Sequence, residues 1–234
     1  MMPKTLDVRQ TGQTRRLASF AVAFRIAATL ATISIAVFGL TTSSVLADDI
    51  SPEQVNQAID DAVQFLKRQQ LQNGSWEEKF YGGEGGVTAL ATLALLNAGV
   101  PPEDPAITRA LSFLRPLPPE KTYAVSLKVM VFSIVGLERD KTGIANLVRW
   151  LEATQIKTGQ AAGGWSYPPN SGGDNSNSQF AILALYEAER IGIQADARTW
   201  MLAKGYWERG QNRNGSWGYT VRDVGGERGS MTCA

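Results

Sequence analysis

Two stretches of this chain are near copies of one another: Phe65-Leu-Lys-Arg-Gln-Gln-Leu-Gln-Asn-Gly-Ser-Trp76 returns 141 residues later as Tyr206-Trp-Glu-Arg-Gly-Gln-Asn-Arg-Asn-Gly-Ser-Trp217, with six of twelve positions identical. A looser third copy lies between them, Trp150-Leu151, Gln155 and Gly163-Gly164-Trp165, lengthened by four residues between Gln and Gly. Self-similarity of this kind constrains the fold more than any single residue does. Each unit buries its apolar face only against its neighbours, so the chain is expected to be a helical repeat protein.

The periodicity around the copies predicts helix pairs. Residues 52–70 place Val55, Ala58, Ile59, Ala62, Val63, Phe65 and Leu66 on one face with charged and amide side chains between, the pattern of a helix with one wet side. Residues 87–98 carry no charge at all, as a helix buried all round would, and Gly99-Val-Pro-Pro102 stops them. The same alternation predicts outer helices at 106–114, 141–153 and 195–211 and inner ones at 123–135 and 178–191, the 123–135 unit lacking a Gly-x-Trp turn. An apolar helix after every amphipathic one points to two concentric helical layers rather than a straight solenoid. The spacing of the outer copies is three periods of 47 residues.

The front of the chain is read as an address. Residues 1–25 carry five Lys or Arg against Asp7 alone, residues 26–40 are a charge-free and mostly apolar run, and Val45-Leu-Ala47 offers the small residues a signal peptidase reads. Residues 1–47 are therefore expected to be a signal peptide cleaved after Ala47, leaving 48–234 as the domain and sending it to the periplasm or beyond the cell. The alternative is an uncleaved membrane anchor, for which the run falls short of the roughly 20 apolar residues of a span. Arg15-Arg16 is a weak hint of twin-arginine export.

Without that segment the chain holds 18 Lys and Arg against 21 Asp and Glu, near −3, which implies no basic surface for nucleic acid. The lone cysteine, Cys233, has no internal disulfide partner. No histidine occurs anywhere, which excludes His-based triads and imidazole metal sites.

Aromatic-Leu-x3-Gln followed by Gly-x-Trp resembles the QW repeat of squalene and oxidosqualene cyclases, and Lys204-Gly205 ahead of Tyr206 extends the likeness. The chain thus resembles prenyltransferase and squalene-cyclase repeat proteins over about residues 52–234. The resemblance implies an all-α fold, an α/α toroid of helical hairpins. The three and a half hairpins present fall short of that family's closed ring, so the toroid is expected to be incomplete at its C-terminus. It also implies that Gln70, Gly74, Trp76, Gln155, Gly163, Trp165, Gln211, Gly215 and Trp217 are structural. A Gln amide suits orphan backbone groups at helix ends, and a Trp beside a glycine packs flat on backbone.

Chemistry is expected instead in the loops after each Trp, which hold Gly82-Gly-Glu84, Gly172-Gly-Asp174 and Gly225-Gly-Glu227 at offsets of eight, nine and ten residues. A toroid would gather them on one rim. Glu84, Asp174, Asn175, Asn177 and Glu227 are thus candidates for a ligand rim, although plain helix caps favoured by the helix dipole are the stronger reading. No metal site or cofactor is predicted.

The catalytic motifs of the resembled enzymes are missing: no Asp-x-Asp-Asp, no Asp-Cys-Thr-Ala-Glu, no zinc set, no Gly-Cys-Gly-Glu-Gln. The expectation is an exported repeat domain without recognised activity that binds an unknown ligand or partner at its cavity or rim. The alternative is an enzyme, either a terpenoid-cyclase relative or an α/α-toroid polysaccharide lyase using the acids with Ca²⁺ and Arg222 or Arg228.

Overall fold

A computed structural model describes residues 50–77, 84–167, 172–223, 226 and 228–233. The chain divides into two compact units, Met1–Ser51 and Pro52–Ala234. Of the first only Ile50 and Ser51 are among the described residues, so the expected leader and its cleavage point lie outside them. Among its described residues the second has helices as its regular elements: α1 (Pro52–Gln69), α2 (Gly86–Asn97), α3 (Pro105–Leu114), α4 (Thr122–Val135), a 3₁₀ turn (Glu138–Asp140), α5 (Lys141–Thr154), α6 (Asn175–Arg190), α7 (Ala197–Gly210) and α8 (Gly229–Thr232). Among the described residues two isolated bridges, Trp165 with Asp174 and Gln211 with Trp217, are the only extended pairings.

Helix starts are fixed by side chains that satisfy the first free amides. Asp104 accepts from the Ala106 amide at 2.8 Å with Pro105 at the first helical position, and Asp196 accepts from the Arg198 amide at 2.7 Å. Asp174 accepts from the Asn177 amide at 2.7 Å, which starts α6 at Asn175 rather than at the expected residue 178.

The helices expected to be inner form a continuous row in which α4 packs against α2 on one side and α6 on the other. The amphipathic helices flank that row, α1 and α3 against α2 and α5 against α4 and α6. Helix α4 is almost wholly buried from Thr122 to Ser133, so its missing Gly-x-Trp turn costs it no burial. Helix α1 departs from expectation. No residue of it is buried, and Val55, Ile59 and Phe65 are exposed, because among the described residues its main helix contact is with α2 and it meets the core through Val63 and Leu66.

Burial of α4 takes a lysine with it. Lys128 is 2% exposed, and desolvation of the ammonium pushes its pKa down from 10.5 to about 8. Between those values the unfolded chain binds more protons than the native one, so this residue's penalty shrinks as pH rises from 8 toward 10.5. The stability gap between Lys128→Met and wild type, in favour of the variant at pH 7, is expected to narrow by pH 10 in urea titrations at both pH values.

Candidate functional site

The repeated motif builds the same object three times. Each Gln side-chain Nε2 donates to the carbonyl of the motif glycine: Gln70 to Gly74 at 3.0 Å, Gln155 to Gly163 at 3.1 Å, Gln211 to Gly215 at 3.0 Å. Each Trp indole donates to one of the last four carbonyls of the helix before it: Trp76 to Leu66 at 2.9 Å, Trp165 to Leu151 at 2.8 Å, Trp217 to Trp207 at 3.0 Å. Each Trp amide donates to a hydroxyl near the start of the helix that follows: Thr88 at 3.1 Å, Ser178 at 2.9 Å, Thr232 at 3.1 Å. That third partner places the short helix α8 where α2 and α6 begin in the earlier copies. The hydroxyls escaped sequence reasoning, although Thr88, Ser178 and Thr232 follow the three tryptophans at 12, 13 and 15 residues.

Two of the three braces hold a further helix. Gln70 Nε2 also donates to the Ala106 carbonyl at 2.8 Å, on α3, and Gln155 Nε2 to the Thr199 carbonyl at 3.0 Å, on α7. The glycines allow that approach. Gly74 and Gly163 sit at φ +89 and +95, and a Cβ on them would lie 2.4 Å from the Arg109 oxygen and 1.8 Å from the Leu202 oxygen. Among the described residues the third brace has no such helix. Among those residues the exposed Gln211 side chain has Gly215 as its only carbonyl partner, and a Cβ on Gly215 would meet just the Gln211 side chain, at 3.9 Å.

Beside this third brace runs an apolar groove of about 350 Å³, lined by Ile182 and Leu183 of α6, Trp207 of α7, Trp217, and Met231 and Thr232 of α8. The Trp207 and Trp217 rings meet edge to face at 6.3 Å. Its sequence signal was Trp207, an aromatic ring where the other copies have Leu66 and Leu151.

The expected acidic rim is resolved in one loop. Asp174, Asn175 and Asn177 come together, each at least nine-tenths buried, and every side-chain polar atom among them except Asn177 Oδ1 is hydrogen-bonded within the fold. Asp174 caps α6 and accepts from Asn177 Nδ2 at 2.9 Å. Asn175 stitches this unit to the next: its amide donates to the Tyr219 carbonyl at 2.9 Å, its Nδ2 to the Gly218 carbonyl at 2.9 Å, and its Oδ1 accepts from Tyr206 Oη at 2.6 Å. Burial pushes the Tyr206 phenol up to about 12 and keeps it a neutral donor. Glu84 by contrast is exposed in the turn before α2, and the cap position there is Gly85, with no side-chain bond. Glu227 and the glycines Gly82, Gly83 and Gly225 lie outside the described residues.

Tyr206→Phe would leave Asn175 Oδ1 buried without its donor, which costs about 1–3 kcal/mol. Chemical denaturation of the variant measures that loss, and a change below about 0.5 kcal/mol would mean the stitch carries no stability.

Among the described residues no group of three His, Cys, Asp or Glu is placed to hold a metal ion, and no helix is long and apolar enough to cross a membrane. No family model matches this chain, and no curated protein or solved structure is similar enough to match it.

Proposed function

We propose that this chain is an exported, non-catalytic repeat domain of the squalene-cyclase type, built as an α/α toroid, that binds a helical partner on the face formed by α6, α7 and α8. The observation that carries the reading is the third brace. It repeats the geometry with which Gln70 seats α3 and Gln155 seats α7, yet Gln211 and Gly215 hold no helix among the described residues. The two occupied copies define the partner. It is an amphipathic helix that brings a first-turn carbonyl to the Gln amide and its backbone onto the glycine, with apolar side chains for the groove of Trp207, Trp217 and Met231. The cap that Asp174 makes and the bonds that tie Asn175 to the next unit favour capping over ligand recognition at that rim, where of these three side chains only Asn177 Oδ1 is left without a hydrogen bond among the described residues.

A hairpin peptide of residues 101–136, which contains α3 and α4 and already presents Ala106 to a Gln brace, serves as the probe. Added to residues 48–234, it is expected to bind saturably and alter the emission of Trp207 and Trp217. Gln211→Ala and Gly215→Val are each expected to weaken binding at least about tenfold, or 1.4 kcal/mol. No binding, or binding untouched by both substitutions, would remove the proposal.

A further inference from the structure

Away from the braces, a second cavity of about 350 Å³ opens between the end of α3, the middle of α4, the 3₁₀ turn and the start of α5. Its chemistry is set by Arg115, Lys128, Arg139, Asp140 and Asn146, over a floor that includes Phe132. Asp140 is matched internally, since Arg115 holds it in a two-point pair at 2.8 and 3.0 Å. The neighbouring Glu138 is paired with Lys141 at 2.8 Å. That leaves two positive side chains facing the cavity, Lys128 and Arg139, with no carboxylate partner among the described residues.

Lys128 is the unusual one. Its Nζ donates to the Leu117 carbonyl at 2.6 Å, which satisfies a backbone group just past the end of α3 and uses one of three N–H bonds. The other two have no partner among the described residues, although the side chain is 98% buried. Capping one carbonyl does not explain keeping an ammonium there, because buried charge is costly unless matched by opposite charge.

We infer that this cavity is a binding site for a tetrahedral oxyanion, a phosphate group, held by Lys128 and Arg139 with the Asn146 amide as a further donor. The charges balance a dianion after Arg115 and Asp140 cancel, and three donor-bearing side chains line the same cavity to serve the acceptor oxygens. Free phosphate and a phosphate monoester share this chemistry. Phe132 gives the ester's organic part an apolar wall.

The test is thermal unfolding of residues 48–234 at pH 7 and constant ionic strength, titrated with inorganic phosphate or phenyl phosphate against sodium chloride. A ligand of the native state raises the midpoint with its concentration, and the midpoint should climb with either phosphate and stay level in chloride. Phenyl phosphate acting at lower concentration than inorganic phosphate would identify the monoester as the better ligand. Lys128→Met should abolish the rise while leaving the ligand-free midpoint equal or higher, an outcome a merely structural lysine would not give. Arg139→Ala, a change at an exposed residue, should reduce the rise at least fivefold with the ligand-free midpoint unchanged. Wild type responding to both phosphates no more than to chloride, or both variants keeping the full response, overturns the assignment.

Discussion

Gly163→Ala is expected to lower the thermal midpoint by roughly 6–15 °C, while Gly215→Ala, at the matching position of the next copy, lowers it by only about 2–6 °C. Both glycines have left-handed backbones, φ +95 and +86, so each alanine carries a similar conformational cost of about 1–2 kcal/mol. The difference is the neighbour. A methyl at 163 would stand 1.8 Å from the Leu202 oxygen and 3.0 Å from the Tyr206 Cβ, so α7 must move off its brace, adding the roughly 1–3 kcal/mol typical of overpacking. A methyl at 215 meets nothing closer than 3.9 Å. Equal melting losses for the two variants would show that α7 does not rest on Gly163 as described.

Trp165→Ala should be the most damaging tryptophan change. The ring is fully buried in the core, and removing it is expected to cost about 3–5 kcal/mol by denaturant unfolding. Trp165→Phe should be far milder. The Leu151 carbonyl that loses the indole N–H still accepts from the Gln155 amide at 3.1 Å, so no acceptor is orphaned, and the loss should stay near 1–2 kcal/mol. Trp217→Ala should fall well below Trp165→Ala, because Trp217 stays partly open to the groove. A Phe variant as unstable as the Ala variant would assign the stability to the hydrogen bond rather than to packing.

Much of this was legible in the sequence, because the repeat and the alternation of wet and apolar helices are one-dimensional signals. Helices were anticipated at each of the seven long elements, with ends wrong by a few residues where a cap decided them: Asp174 starts α6 three residues early. What sequence could not supply was occupancy. The apolar stripe of α1 reads like a buried face, yet Val55, Ile59 and Phe65 are exposed, since a pattern states what a helix could bury and not whether a neighbour is there. The Gly-Gly-acid loops looked equivalent by offset, but Asp174 is buried as a cap and Glu84 is exposed and caps nothing, a difference of local backbone that spacing does not encode. Lys128 gave no signal beyond being one charge in an apolar run, because burial on every side of α4 comes only from its neighbours α2, α5 and α6.

One motif makes three alike braces, two of them filled within the domain, and we propose that the third, which holds no helix among the described residues, seats a helical partner. The most direct measurement compares Gln155→Ala with Gln211→Ala, each assayed for unfolding free energy and for binding of the 101–136 hairpin. Gln155 serves two buried carbonyls, at 3.1 and 3.0 Å, and its loss should cost about 1–3 kcal/mol. Gln211 is exposed, and its loss should cost under about 0.5 kcal/mol yet weaken the hairpin at least tenfold. Equal stability losses, or hairpin binding unchanged in Gln211→Ala, would contradict the account.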